Sequence, residues 1–221
     1  MSPPEPDEMI AVIACAGRKR DVGFLTDEHG VCVNFVGCPE KAPADGSKYV
    51  SPDSLSPYGV TWRAYVAMQQ DSRLVPAYQL YADPIYQAMF ARLGHRMYIL
   101  SAGWGLIAAS FGIPNYDITY SLDRSRPWTW RDPMADELCR NDFAQLPNAG
   151  SEMVFFGGAK YRPRFAALSQ QYRGRRCFYH RSDGEGSQPR LEGCEPLPFR
   201  TCRRTNWHYE CARKVLALAR S

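Results

Sequence analysis

Three short apolar segments constrain the fold of this chain most strongly. They read "MIAVIACA" (residues 9–16), "RMYILSA" (96–102) and "EMVFFGG" (152–158). Each has the length of a strand rather than of a helix, and a continuous apolar run is typical of a strand that is covered on both faces. We therefore expect three central strands in a mostly parallel sheet, with "RRCFYHR" (175–181) as a fourth strand.

Helical patterns lie between and after these strands. Thr61 is suited to cap a helix in "TWRAYVAMQQ", because its hydroxyl can accept from a backbone N–H of the first turn. In "DPIYQAMFARLG", Asp83 is the expected cap, Pro84 the first helical residue and Gly94 the terminator. Further helices are predicted in "MADELCRNDFAQL" (134–146), "AKYRPRFAALSQQY" (159–172) and "TNWHYECARKVLALA" (205–219), the last capped by Asn206 or Thr205. Strands that alternate with helices predict an α/β fold.

The chain divides into a short tail and one domain. We predict a flexible tail over residues 1–8, which are acidic and rich in proline, and a single α/β domain over residues 9–221. Within the domain, residues 21–57 are rich in turn formers and form a predicted insertion, with "GVCVNFVG" (30–37) as an edge strand or hairpin arm. No segment resembles a signal peptide or a membrane span, so we expect a cytoplasmic protein without membrane contact.

The eight cysteines form no tight metal-binding pattern. No Cys-x-x-Cys pair occurs, and the nearest cluster is His29, Cys32 and Cys38. Without a secretory signal, cysteines are expected to be reduced thiols rather than disulfides. We therefore predict no metal and no cofactor.

The positive charge is modest but clustered. The net charge is +4, and basic residues gather in "GRKR" (17–20), "YRGRR" (172–176) and "FRTCRR" (199–204). Such clusters contact phosphates in nucleic-acid-binding proteins, and they also occur as solvated surface. Nucleic acid or a nucleotide is therefore an expected partner, and the oligomeric state is left open.

Longer stretches of the chain carry a resemblance to a known family. "IACAGRKR", "LYADPIYQAMFARLGHRMYILSAGWGLIAASFGIPNYDITYS" and "MVFFGGAKYRPRF" resemble uncharacterised bacterial and phage proteins related to the YaaA peroxide-stress proteins. More distantly, they resemble the uracil-DNA-glycosylase-like domain of archaeosine synthases and tRNA-guanine transglycosylases. The resemblance covers about Ile10 to Leu168. It implies a Rossmann-like three-layer sandwich that acts on or near nucleobases, with DNA binding in the YaaA branch.

The strand ends supply the candidate binding residues. The loops after Cys15, Ala102 and Gly158 would leave the same edge of a parallel sheet if their strands are neighbours, and they would then share one crevice. Glycines there permit close approach of a ligand to the backbone, although glycine also ends strands for turn geometry alone. The predicted binding residues are Cys15, Arg18, Lys19, Gly103, Trp104, Gly105, Gly157, Gly158, Tyr161, Asn206 and His208.

Several of these residues have a structural alternative. Arg18 and Lys19 would bind an anion and lower the pKa of the Cys15 thiol, but Cys15 is also a typical small buried residue. Trp104 would stack on a base or fill the core. His208 lies at a predicted helix N-terminus, where an anion could bind, or it is a packing histidine.

The predicted catalytic residues are Asp117, Tyr116, Ser101 and Lys160. Cleavage of an N-glycosidic bond needs an anion beside an oxocarbenium-like centre and a donor to the departing base. Asp117 suits the first role, and Lys160, Tyr161 or a backbone amide suits the second. The alternative for Asp117 is a turn cap beside Pro114 and Asn115. Ser101 lacks the Gly-x-Ser-x-Gly elbow of a serine hydrolase.

Three function classes remain. The first is a nucleobase-acting enzyme, of N-glycosylase or base-transferase type, with a metal-free crevice at the carboxyl ends of the strands. The second is a DNA-binding stress-response protein without catalysis. The third is a nucleotide-binding or sensing module, for example in phage defence. Steep salt dependence of binding to long DNA would favour the second, because phosphate contacts release counterions.

Overall fold

A six-stranded sheet organises the molecule. The computed structural model describes residues 9–69, 73–132, 151–182 and 189–217. The strands are β1 (Ile10–Ala14), β2 (Leu25–Thr26), β3 (Cys32–Val36), β4 (Lys48–Val50), β5 (Val75–Pro76), β6 (Met97–Ser101), β7 (Gly105–Ala108), β8 (Gly112–Ile113), β9 (Tyr116–Asp117), β10 (Met153–Phe156), β11 (Arg176–Ser182) and β12 (Glu195–Arg200). The α-helices are α1 (Trp62–Met68), α2 (Ala77–Leu80), α3 (Ile85–Leu93), α4 (Arg162–Leu168) and α5 (Trp207–Val215).

The three apolar segments are neighbouring central strands, as predicted. The main sheet has the order β12-β11-β10-β1-β6-β7. All its pairs are parallel except the last, in which β7 returns antiparallel to β6. Ile13, for example, lies between Phe156 of β10 and Ile99 of β6. The carboxyl ends of β10, β1 and β6 therefore meet at one edge of the sheet.

Both faces of the main sheet are covered, which explains the continuous apolar runs. Ile10 and Val12 belong to a buried cluster that includes Phe165 of α4. Ala11 and Ile13 belong to a second cluster, to which α3 and α5 contribute. The fold is thus a mixed α/β fold with a mostly parallel sheet. The Rossmann-like three-layer arrangement that the resemblance implies stays a prediction.

The segment predicted as an insertion forms most of a second, smaller sheet. β3 pairs with β2 antiparallel and with β4 parallel, and it also pairs in parallel with β9, which lies far downstream. Val33 and Phe35 point from β3 into the core, where Phe35 meets the rings of Trp62 and Trp104 edge-on. This second sheet is therefore attached to the body of the domain by its apolar face.

The predicted helix ends agree with the structure in most details. The Thr61 hydroxyl accepts from the N–H of Ala64 at 3.2 Å, and Gly94 ends α3 with a φ of 57°. Asp83 accepts from the N–H of Ile85 at 2.9 Å, although α3 begins at Ile85 rather than at Pro84. Asn206 precedes α5 in the left-handed region, with a φ of 52°, and its side chain makes no capping hydrogen bond.

Two strands of the main sheet were not expected from the sequence. β7 forms a tight hairpin with β6, where only a glycine turn was predicted. β12 follows a predicted loop and contains Pro196 and Pro198, which usually argue against a strand.

The expected tail over residues 1–8 and the expected helix over residues 134–146 lie outside the described residues. None of the helices in the described ranges is long and apolar enough to cross a membrane.

Candidate functional site

A cavity of about 660 Å³ opens at the carboxyl ends of β1 and β10. Because these strands are parallel neighbours, the loops that follow them leave the sheet side by side. The starts of α3 and α5 and the chain after β9 complete the walls. The lining residues are Ala14, Cys15, Ala16, Gly17, Arg18, Ala82, Asp83, Pro84, Thr119, Ser121, Gly158, Ala159, Lys160, Tyr161, Asn206, His208 and Tyr209.

Two cations and a carboxylate line this cavity. Arg18 and Lys160 are exposed, and the Lys160 ammonium donates to the Ser121 hydroxyl at 3.1 Å. Asp83 is partly buried, caps the start of α3 and forms an ion pair of 3.2 Å with Arg213. The cations lie on the loops after β1 and β10, and the carboxylate lies at the start of α3.

His208 contributes a neutral imidazole. Burial lowers the pKa of His208 to about 4, and nearby Asp83 offsets only part of this effect. The ring is therefore uncharged at neutral pH. Within the part of the chain that the structure describes, its buried Nδ1 has no hydrogen-bond partner. A ligand in the cavity can meet one ring nitrogen as donor or acceptor, according to the tautomer.

Cys15 and Tyr161 form the floor. The Cys15 thiol lies 3.2 Å from the Tyr161 hydroxyl and accepts from the N–H of Ala102 at 3.4 Å. Burial raises the pKa of Tyr161 well above its usual value, so its hydroxyl keeps its proton. On the other side, Tyr86 donates to the carbonyl of Ala14 at 2.7 Å and lies 3.2 Å from the hydroxyl of Tyr209. The floor is thus fixed by hydrogen bonds to the end of β1.

Ser101 and Tyr116 are brought together inside the protein rather than in the cavity. The Ser101 hydroxyl donates to the Tyr116 hydroxyl at 2.9 Å, and Tyr81 makes a further contact of 2.9 Å with Tyr116. All three side chains are buried. Lys19 lies above the Tyr116 ring, 3.9 Å from its centre, and burial lowers the pKa of Lys19 to about 8. None of these four residues lines the cavity.

The segment "SAGWG" is a hairpin turn, and it is held from inside the protein. Ser101 accepts from the N–H groups of Gly103 and Trp104 at 3.3 and 3.0 Å. Gly103 lies against the Tyr116 ring, where a Cβ would come within 2.9 Å of Cδ2, and Gly105 has a φ of 78°. Gly103, Trp104 and Gly105 are all buried, so the ligand contact predicted for them is not provided by this cavity.

Two arginine side chains also form hydrogen bonds to this turn. Arg63 and Arg131 each donate to the carbonyl of Gly103 at 2.9 Å. Asp53 bridges the two guanidinium groups, at 2.9 Å from Arg63 and in a close contact with Arg131. The carboxylate lies between two cations and reduces their mutual repulsion, so this group fixes the turn.

Gly157 and Gly158 are adjacent in the sequence but have different surroundings. A Cβ at Gly157 would lie 2.2 Å from the ring of Phe155, so this glycine is required by packing. Gly158 lines the cavity and has no atom within 4 Å of an added Cβ. Both glycines were predicted to lie at the binding site, and only Gly158 lines the cavity.

Asp117 lies in a second cleft, of about 280 Å³, on the side of the smaller sheet. Its carboxylate forms an ion pair with Arg126, and both side chains are about half exposed, at 50% and 47%. The candidate residues Cys15, Ser101, Asp117 and Gly157 therefore do not meet in one crevice. Cys15 lines the cavity, Ser101 and Gly157 lie within the protein, and Asp117 faces the other cleft.

The cavity therefore contains seven of the predicted residues and several that sequence reasoning missed. The predicted ones are Cys15, Arg18, Gly158, Lys160, Tyr161, Asn206 and His208. The missed ones with polar side chains are Asp83, Thr119, Ser121 and Tyr209. Asp83 was assigned only a capping role, and the position of its helix at the same sheet edge was the signal that could have placed it in the site. In the described ranges, no three His, Cys, Asp or Glu side chains are grouped closely enough to hold a metal ion.

Comparison with known proteins gives a family without an activity. Residues 65–179 match the family of unknown function DUF6884, which is more than half of the chain. The chain belongs to DUF6884. The matched DUF6884 region contains β6, β10 and the Lys160 loop, whereas the cavity-lining residues of β1 and α5 lie outside it. No curated protein and no solved structure matches the chain significantly. The relation to the YaaA proteins and to the glycosylase-like domains stays a prediction.

Proposed function

We propose that this DUF6884 member binds a nucleotide, or a nucleotide unit of a nucleic acid, in the cavity at the ends of β1 and β10. The observation that carries the proposal is the convergence of Arg18 and Lys160, which leave adjacent parallel strands and line one concave site. Two exposed cations on neighbouring loops suit a phosphate group. Ligands of α/β proteins bind at this edge of the sheet.

The rest of the cavity suits the sugar and base of such a ligand. Its volume of about 660 Å³ falls in the range of roughly 300–1,000 Å³ that is typical of small-molecule sites. Asn206 and neutral His208 offer directional hydrogen bonds at the start of α5, where the helix dipole also favours an anion. Thr119 and Ser121 add hydroxyl groups on the opposite wall.

Titration calorimetry with nucleoside mono- and diphosphates at low salt tests this proposal. We expect the double variant Arg18→Ala, Lys160→Ala to weaken binding by roughly a hundredfold or more, because each charge-assisted contact contributes about 1.5–3 kcal/mol. Arg173→Ala is the matched control. Arg173 is exposed and precedes β11 at the opposite edge of the sheet, so its loss should leave affinity unchanged.

Two results would overturn the nucleotide site. One is the absence of binding at millimolar concentrations of any nucleotide or oligonucleotide. The other is equal affinity of the wild type and the double variant at low salt. Binding only to long DNA, with a steep salt dependence, would instead support the DNA-binding class. Such a salt dependence arises because contacts to DNA phosphates release counterions.

A second candidate function is enzymatic release or exchange of a nucleobase. The observation that favours it is the presence of a carboxylate, Asp83, and an imidazole, His208, in the same cavity as the cations. A carboxylate would stabilise positive charge at the sugar carbon, and His208 or Lys160 would donate to the departing base. Asp117, which the sequence favours for this chemistry, is paired with Arg126 in the other cleft.

A base-release assay on a panel of natural and modified nucleic acids tests the enzyme. Asp83→Asn keeps the capping oxygen but removes the charge, so we expect release to fall by roughly a hundredfold or more while the variant stays folded. Asp117→Asn in the same assay decides whether Asp117 takes part. No release from any substrate by the wild type would leave the nucleotide-binding function as the proposal.

A further inference from the structure

The second cleft lies on the outer face of the smaller sheet, and the strand register explains its chemistry. Asn34 of β3 pairs with Tyr49 of β4, and Val36 pairs with Asp117 of β9. Cross-strand partners share a face, and so do residues two apart along a strand. These four residues therefore face away from the core side chains Val33 and Phe35. We call this site the insertion cleft, lined by Phe24, Val33, Asn34, Phe35, Val36, Tyr49, Asn115, Tyr116, Asp117, Arg126 and Trp128.

The chain that follows β9 forms the opposite wall of the insertion cleft. The carbonyl of Trp128 accepts from the N–H of Cys38 at 2.8 Å, which fixes this segment against the end of β3. Trp128 and Phe24 both line the cleft, and the Phe24 side chain is 49% exposed. Flat aromatic surfaces therefore border an opening into which polar groups also project.

The Asp117–Arg126 ion pair is the charged centre of this opening. Both side chains are about half exposed, and a pair of this kind contributes only about 0–1 kcal/mol to stability. A ligand can therefore replace Arg126 as the partner of Asp117 at little cost. A carboxylate can accept two parallel N–H bonds from a planar partner, as it does from guanidinium groups.

We propose that the insertion cleft binds a planar nitrogen heterocycle with two adjacent N–H donors on one edge, which pairs with Asp117 in place of Arg126. The volume of about 280 Å³ suits a small fused ring, and Asn34 adds one further donor and acceptor. Guanine and pterin rings share this edge. The site is separate from the cavity and does not depend on the nucleotide proposal, because none of its lining residues lines the cavity.

Guanosine, which carries no phosphate, tests the insertion cleft without engaging the cations of the cavity. We expect guanosine to bind to the wild type in calorimetry, inosine to bind roughly tenfold more weakly because it lacks one N–H donor, and Asp117→Asn to lose roughly tenfold or more. Phe24→Ala should also weaken binding, since it removes a stacking surface. The same series with pterin distinguishes a nucleoside from a free heterocycle as the source of the ring.

Two variants serve as controls for the insertion cleft. Glu28→Gln removes an exposed carboxylate from the same insertion and should leave guanosine affinity unchanged. Arg18→Ala should also leave it unchanged, because Arg18 belongs to the cavity. The proposal is overturned if neither guanosine nor pterin binds at millimolar concentration. It is also overturned if Arg18→Ala abolishes binding while folded Asp117→Asn retains it.

Discussion

The hydroxyl of Ser101 donates a hydrogen bond to the hydroxyl of Tyr116 across 2.9 Å, and this contact joins the two sheets. Ser101 is the last residue of β6 in the main sheet, and Tyr116 is the first residue of β9 in the smaller one. Both are buried. The serine at the start of the glycine turn is therefore a structural link, and it does not line the cavity at Cys15.

Removal of the Ser101 hydroxyl should destabilise the fold. Ser101→Ala leaves the buried N–H groups of Gly103 and Trp104 without their acceptor, so we expect a loss of about 1–3 kcal/mol in the free energy of unfolding. Urea denaturation measures it. Ser54→Ala, which removes a hydroxyl that donates to the carbonyl of Ser51 in a more exposed setting, should cost less. Equal stabilities of the two variants would contradict the structural role of Ser101.

The adjacent glycines after β10 give a paired test of packing. In Gly157→Ala the new methyl group would lie 2.2 Å from the Phe155 ring, which is itself stacked on Phe165. Overpacking of this kind typically costs about 1–3 kcal/mol. Gly158→Ala meets no atom within 4 Å and should change stability by no more than about 0.5 kcal/mol. Thermal or urea unfolding of both variants decides whether the two glycines differ as described.

Protonation of His208 should destabilise the folded chain in mild acid. Its pKa is lowered from 6.5 to about 4, so the unfolded chain binds a proton in this window that the folded chain does not. Stability is therefore fully retained above pH 6.5 and falls as the pH decreases toward 4, by at most roughly 3 kcal/mol from this group. In the His208→Gln variant, the free energy of unfolding should fall less between pH 7 and pH 4.5 than in the wild type. Identical pH profiles of the wild type and the His208→Gln variant would contradict this role of His208.

The bridge between Arg63 and Arg131 depends on Asp53. Asp53→Ala leaves two guanidinium groups converging on the carbonyl of Gly103 without the carboxylate, and we expect a loss of about 2 kcal/mol or more. Denaturation at low and high salt measures the effect, which should be smaller at high salt because screening weakens the repulsion. Asp45→Ala, at an exposed turn, is the control. An Asp53→Ala variant as stable as the control would show that the pair needs no bridge.

Local chemistry made part of the fold predictable. The runs that contain Ile13, Ile99 and Phe156 indicated central strands because each is apolar without interruption, and Thr61 marked a helix start through its own side chain. The smaller sheet was not predictable in this way. Strands of two residues, such as Tyr116–Asp117, exist only through pairing with a distant partner, which no local pattern encodes.

The candidate site was predictable to the extent that it follows from the strand order. Cys15 and Tyr161 could be placed together because parallel neighbours end at the same edge, and their side chains are 3.2 Å apart. The position of Asp117 could not be predicted, because the pairing of Val36 in β3 with Asp117 in β9 determines which cleft the carboxylate faces. Asp83 was overlooked because its capping bond to Ile85 already explained its presence.

The two prolines of β12 limit the pairing of a further strand with the main sheet. Pro196 and Pro198 are two residues apart, so both lie at positions with the same orientation along the strand. Because β12 still pairs with β11, these positions face away from it, and neither carries a backbone N–H. A strand from a second molecule that approached this side would find no donor at either position. The sheet thus carries its own protection against edge-to-edge aggregation where β12 borders solvent.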